Sequence, residues 1–468
     1  MGASVANEGV CRYGPEWAYF RPSQLRALTS TVWRTNEQGV DPMPPMARGT
    51  LPWVRAGIGL LRNPTEFFSA RRRALGDTFV VDAFGFRLFC VFSAEGVRSL
   101  YALPEERASF GLATYTLIKH KAPPELLAGI RNTPHRLFGN QEVERYLDAL
   151  DDAVRHEVDA LGARGEVEVF AEMRRLGHRL GFASWAGAEA ASSRHLDRLI
   201  PLFDRLDSSE SFVRPAQAFV TFATRQARER HAMHGIETII AGIWAERQRS
   251  GMMQPDFLDQ IYASFADVAP PERDIRVARD IIVLHMGSQS NLYAALAWTF
   301  INVLQHPHHL RRIVDGDDAL LEQCANESIR MAQRSITLRQ VIKPVEIDDG
   351  RRTYRVGPGV MVTTMLSVNN NSAAPGLEAF DPRHYQGRRL SPEIELPAKE
   401  LVSTFGHGSH SCPAQRFAIS AIRISIRRLL EHYEFTPRFT RADPSPRQLG
   451  AVARAARPCV VAYRPRGS

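Results

Sequence analysis

Residues 405–418 read FGHGSHSCPAQRFA, and this stretch limits the possible folds more than any other. Gly406 and Gly408 permit a tight backbone turn ahead of Cys412. Pro413 follows at once, and proline suits the first position of a helix, where its missing N–H would be unpaired anyway. Behind it Ala414, Phe417, Ala418, Ala421, Ile422, Leu429 and Leu430 recur at helical spacing and define an apolar face. The pattern predicts a helix from Pro413 to about Tyr433, with Cys412 as its N-cap. The partial positive charge of a helix N-terminus favours thiolate over thiol. Such a cysteine is a redox thiol, a metal ligand or an inert turn residue, and the stretch alone leaves all three open.

The cysteine count narrows the choice. Five cysteines in 468 residues (Cys11, Cys90, Cys324, Cys412 and Cys459) lie far apart with no C-x-x-C pair. That argues against a structural zinc site and against a disulfide framework, and makes a reducing cytoplasm the expected location. The net charge of +8 is dispersed, with no basic block of the kind that binds nucleic acid, so no nucleic-acid partner is expected. The N-terminus MGASVANEGVCRYGPEWAYF lacks a signal-peptide pattern. The apolar stretch YAALAWTFINVL (293–304) is too short to cross a bilayer, so no transmembrane anchor is expected.

Helical periodicity dominates residues 140–340, with apolar residues three and four apart in VERYLDALDDAVRHEVDAL (143–161) and across 273–306. Strand patterns frame it: a hairpin at DTFVVDAFGFRLFCVFS (77–93), then SITLRQVIKPVEI (335–347) and TYRVGPGVMVTTML (353–366). The expected fold is mainly α with a minor β region assembled from both ends of the chain. This interleaving predicts a single large domain over 44–468, after an N-terminal extension at 1–43.

A thiolate in an apolar turn, with a flat hydrophobic group against it, is what heme-iron ligation by cysteine requires. FGHGSHSCPAQRFA resembles the heme-binding loop of the cytochrome P450 (heme-thiolate) family. That loop has Phe seven before the cysteine, Gly four before, Arg or His two before, and Ala six after; here these are Phe405, Gly408, His410 and Ala418. The resemblance implies that Cys412 is the axial ligand of heme b (iron protoporphyrin IX), that Phe405 shields the sulfur and that His410 reaches a propionate. Ala414 departs from the family's usual glycine. ANESIR places Glu327 and Arg330 at i and i+3, one helix face, where they can pair. FDPRHY (380–385) resembles the segment whose arginine joins that pair, here Arg383. By the same resemblance, heme lies between a long central helix and the cysteine loop.

The central helix of this family usually carries an acid followed by a threonine that relay protons to dioxygen at the heme. Here HMGSQSNLYAALAW (285–298) offers Asn291 at the threonine place and Ser290 at the acid place, or Gln289 and Ser290 one residue earlier. Neither register supplies a carboxylate. GSQSN resembles the variant of bile-acid hydroxylases and prostacyclin synthase, within a bacterial-type soluble chain. Asparagine orients water but is a poor proton donor. Two activities are therefore expected: monooxygenation of a small apolar or amphipathic biosynthetic intermediate in secondary metabolism, or isomerisation or group transfer that cleaves an O–O or N–O bond carried by the substrate. A non-catalytic heme sensor is the third reading. His285 is expected to be a packed core histidine rather than a second iron ligand. Arg416, Arg423, Arg427 and Arg428 suggest a face for a ferredoxin or flavodoxin, itself reduced by a reductase, because no electron-transfer module is fused to the chain. Arg136 or Arg145 is the expected propionate contact from the N-terminal half. Residues 105–125, 200–235 and 335–340 are the expected substrate-facing segments, with Arg205, Arg214 and Arg225 suited to a substrate with an acidic end.

Overall fold

A computed structural model describes residues 44–47, 49, 54–119, 121–132, 140–207, 221, 223–251, 257–408 and 411–467, with side chains of the Asn140 helix from residue 149 onward. The expected extension at 1–43 lies outside the described residues. The helices that position the site are α1 (Ala94–Ala102), α2 (Val169–Trp185), α3 (Ser193–Leu206), α4 (Ala227–Ser250), α5 (Glu272–Gln305), α6 (Asp318–Ala332) and α7 (Gln415–His432). The expected helical middle and its α-rich class are both seen.

Strands from both ends of the chain share one sheet. β1 (Met46–Ala47), β2 (Thr78–Ala83), β3 (Phe86–Val91), β4 (Ala108–Ser109), β5 (Ile336–Val341) and β6 (Met361–Met365) run in the order β1-β2-β3-β6-β5-β4. The expected hairpin is β2–β3, closed by Phe84 and Gly85 with φ of 52° and 80°. Two successive left-handed residues match the twist of the flanking strands. β3 lies parallel to β6, with Leu88 opposite Met361, so residues nearly 300 apart in sequence fix one register.

α5 runs through the middle of the main apolar core. Glu272 and Asp274 in its first turn complement the helix dipole. α2 can approach it closely because Gly177 and Gly181 face it: a Cβ at Gly177 would come 3.0 Å from Tyr293 Cβ, and one at Gly181 3.0 Å from the His285 ring. α6 opens on Asp317, whose side chain accepts from Leu320 N at 2.9 Å, a cap that fixes where its buried face points. Among the described residues no helix is long and apolar enough to cross a membrane.

Candidate heme-thiolate site

The cysteine loop is held from below by a buried ion pair. Glu327 and Arg330 are fully buried and make two parallel bonds, Nε to Oε2 at 2.7 Å and Nη2 to Oε1 at 2.6 Å. Arg330 Nη1 donates to the Asn370 and Leu377 carbonyls. The Asn370 side chain then donates to Arg330 O at 3.1 Å and Ser403 O at 3.0 Å, and accepts from Ser403 N at 2.8 Å. Ser403 Oγ accepts from Gly406 N at 3.0 Å, and Phe405 O accepts from Cys412 N at 2.6 Å. A continuous run of hydrogen bonds therefore connects the ion pair to the cysteine. Tyr101 on α1 packs its ring edge-on against His407, 5.2 Å between centroids, and holds the loop from the side.

Arg383 does not join the pair. Its guanidinium folds onto Asp381 at 2.6 Å with 90% of the side chain exposed, and His384 takes the inner place, Nδ1 to Glu327 Oε1 at 2.9 Å. The cause is local: Asp381 caps the short turn at Pro382–His384 by accepting from Arg383 N at 2.9 Å, which turns residue 383 outward and its neighbour inward.

Cys412 is accessible, while burial pushes its thiol up and the Ala414 N–H draws it partly back. Access together with desolvation describes a sulfur facing a cleft. The helix proper begins at Gln415 with Ala414 as its cap, later than Pro413 and without Cys412 as N-cap. Cys412 instead closes a turn, its carbonyl accepting from Gln415 N at 3.4 Å. Gly406 and Gly408 have φ of 81° and 60°, a conformation that favours glycine. A Cβ at Gly408 would meet nothing within 4 Å, so the backbone conformation rather than space calls for glycine there. Phe405 and Ala418 are half-buried against the main core. His410 lies outside the described residues.

The three candidates on α5 separate by helix phase. Gly287 and Asn291 are exposed and share a face, and a Cβ on Gly287 would meet nothing within 4 Å. Gln289 stands about 160° around the axis from both. It is 2% exposed, and among the described residues neither its Nε2 nor its Oε1 has a partner. Gln289 therefore faces away from the open side. Ser290, 8% exposed, sits at the edge of the open face.

Asn291 is fixed by a segment that motif reading did not single out. Val452 N donates to its Oδ1 at 3.0 Å. Because a backbone N–H can only donate, that contact assigns the oxygen and leaves the Asn291 NH2 as the outward group. Val452 belongs to a tight turn with Gly450 and Ala451 at φ of 95° and 57°. Gln448 supports it, donating to Gly450 O and Val452 O at 3.1 Å each, and Trp298 on α5 donates to Ala453 O at 2.6 Å. Gln333 bridges Val452 across the chain and donates to Thr404 O at 3.4 Å, beside the cysteine loop. Asn291, Val452, Gln333 and Thr404 thus tie α5 to the cysteine loop through the 333 and 452 segments. No spacing in the sequence marks Gln333, Asn370 or Gln448; the amide run Asn369–Asn371 after a buried strand was the one available signal.

His285 is a core histidine, fully buried. Trp185 Nε1 donates to its Nδ1 at 3.2 Å, and its Nε2 lies 2.8 Å from His178 Nδ1. The indole is donor-only, so both tautomers follow: His285 carries its proton on Nε2 and His178 on its own Nε2. Burial lowers His178 to about 3 and His285 well below its ordinary value, so both are neutral. Among the described residues no group of His, Cys, Asp and Glu side chains could hold a further metal ion.

Of the basic residues on α7, Arg423 and Arg427 pair with Asp318 and Arg428 with Asp151, leaving exposed Arg416. Arg205 and Arg225 are exposed. Arg136, Arg214 and the Arg145 side chain lie outside the described residues, as does much of 200–235.

A family model described as Cytochrome P450 matches residues 206–461. The 24-hydroxycholesterol 7-alpha-hydroxylase of Mus musculus is 22% identical over 455 residues, covering 90% of this chain and 93% of its own. The Homo sapiens protein of the same name is 22% identical over 443 residues, 86% and 89% of the two chains. Cytochrome P450 monooxygenase pynD of Aspergillus niger is 20% identical over 439 residues, 88% and 90%.

Proposed function

Because this chain belongs to the cytochrome P450 family, we propose that it is a monooxygenase that hydroxylates an amphipathic biosynthetic intermediate with electrons from separate proteins. The observation that carries this reading is the placement of Cys412, accessible at the mouth of α7 and tied by a hydrogen-bonded framework to the open face of α5.

Heme b, the family's cofactor, suits this donor set. Cys412 offers an accessible soft sulfur whose thiol burial pushes up, and a coordinated cation is what holds a thiol deprotonated. Left-handed Gly406 and Gly408 shape the loop before the sulfur, and a Cβ at Gly287 on the open face of α5 would meet nothing within 4 Å. Bound there through Cys412, heme supplies the iron chemistry that activates dioxygen. The chain's own residues do the rest. Phe405 fixes the cysteine backbone and, on the family pattern, covers the sulfur. Asn291 presents an N–H donor that orients a water or a substrate oxygen, and Ser290 offers a hydroxyl at its edge.

Two of the relatives carry names that specify hydroxylation of 24-hydroxycholesterol, and from them we take only a bulky apolar body with a polar end as the substrate class. The electron donor is a ferredoxin or flavodoxin with its reductase, docking where Arg416 is exposed. Free cysteines at positions 90, 324, 412 and 459 fit a cytoplasmic location.

One observation favours a second reading. The open face of α5 presents Val283, Met286, Gly287 and Asn291, with Ser290 at its edge and no carboxylate to pass protons. An isomerase or group-transfer enzyme whose substrate brings its own O–O or N–O bond needs none. The test runs in two steps. The purified protein reduced under carbon monoxide is expected to show the red-shifted Soret band of thiolate ligation, and Cys412→Ala to lose it; persistence of the band in Cys412→Ala removes the ligand assignment. Product formed without dioxygen or reductant would then replace the monooxygenase reading by the second.

A further inference from the structure

The four fully buried arginines of the core each have a carboxylate. Arg330 has Glu327, Arg179 has Glu157, Arg247 has Glu189 and Asp259, and Arg339 has Glu105. Arg334, which follows α6 on the segment leading into β5, has none among the described residues. Its guanidinium is desolvated enough to be pushed down to about 10, with burial the sole cause.

The position is built rather than loose. Arg334 N donates to Ala451 O at 2.9 Å, and its carbonyl accepts from Gly450 N at 2.8 Å. Nη1 donates back to Met331 O at 3.1 Å and Gln333 O at 2.9 Å. Among the described residues no acceptor meets Nε–H or the Nη2 amino group, a planar pair of donors. The neighbouring Gln333 is the residue that joins the cysteine loop to the 450–453 turn, and Val452 of that turn holds Asn291. The cation therefore stands beside the framework that ties the two walls of the site together. The guanidinium is half-buried, so these donors are within reach of a ligand, and partial desolvation strengthens a charge-assisted pair made there.

We propose that Arg334 binds the carboxylate end of an amphipathic substrate through paired donation from Nε and Nη2. This deepens the reading above and rests on it. The fork matches a carboxylate in plane and spacing, a geometry that a lysine ammonium does not reproduce. It also replaces Arg205 and Arg225, both exposed, as the determinant for an acidic substrate end.

The test uses the heme-loaded enzyme, with the carbon monoxide band recorded first so that failure of the heme-thiolate reading is seen separately. Dodecanoate and cholate are each titrated against their methyl esters, following the Soret shift. At least one acid is expected to bind roughly tenfold or more tightly than its ester, the ratio a charge-assisted pair supplies. Arg334→Gln should bring acid and ester to parity with heme content and melting temperature unchanged, and Arg334→Lys should retain part of the preference. Equal binding of acid and ester by the unaltered enzyme, or no shift with either acid, overturns the proposal. So does loss of heme from Arg334→Gln, which would assign the fork to a heme propionate.

Discussion

Arg330 and Arg383 lie 53 positions apart and were expected to serve one cluster, yet their surroundings are opposites. The first is fully buried with Glu327 and supports Asn370 and, through it, the cysteine loop. The second has a side chain 90% exposed and touches Asp381. Arg330→Met leaves a buried carboxylate with only His384 and the Asp381 N–H beside it among the described residues, a loss of about 3–5 kcal/mol. The expected result is a lower melting temperature and poor heme retention, read together by thermal unfolding and heme content. Arg383→Ala is expected to leave both unchanged. Were Arg383→Ala the more damaging of the two, the inner place would belong to it and not to His384.

At the scale of elements, the α2–α5 seam carries two neutral histidines that the surrounding protein refuses to charge. Folding lowers His178 to about 3 and His285 well below its ordinary value, against about 6.5 in the unfolded chain. Above that unfolded value both states are neutral and nothing is lost. As pH falls below it, the unfolded state binds protons that the folded state does not, so stability declines by up to about 1.4 kcal/mol per pH unit for each histidine. Asp280 on α5 acts in the opposite sense: burial raises it to about 6, so the folded state gains relative stability as pH falls from there toward the unfolded carboxylate range. The comparison of variants removes this term. His178→Gln keeps an acceptor for the His285 Nε2–H and deletes one titrating ring. The pH dependence of its urea midpoint between pH 7 and pH 5 is expected to be shallower than that of the unaltered protein, by about one proton. An identical slope would mean that the histidines ionise in the folded state.

On the scale of the whole molecule, what could be read from the sequence was local. The cysteine loop and the i, i+3 pair of Glu327 and Arg330 lie within single segments, and their chemistry survives folding intact. The choice between Arg383 and His384 depended on a cap made by Asp381, and the phase of Ser288–Asn291 on two glycines of α2, neither visible in the spacing of the motif itself. Arg334 escaped notice because a cation with no carboxylate among the described residues is recognised only from what the rest of the fold brings near it. The same holds for a buried ion pair that joins three segments distant in sequence. Lys121 Nζ reaches Glu229 Oε1 at 2.9 Å and Arg205 O at 3.1 Å, with the two side chains 8% and 3% exposed. It joins the 119–125 segment to the end of α3 and the start of α4, and Arg230 adds a bond to Glu125 at 2.6 Å. Lys121→Met strands the Glu229 carboxylate in the interior, a loss of about 3–5 kcal/mol concentrated where these three segments meet. Hydrogen exchange should therefore rise in 119–125 and 223–232 while α5 and α6 keep their protection, and bound ligands should leave faster. Adding Glu229→Leu removes the stranded charge and should recover much of that protection, because an apolar pair can replace a buried ion pair without penalty. Protection lost evenly across α5 and α6, or a double variant no better than the single one, would show that this ion pair supports the whole fold and does not act locally on these three segments.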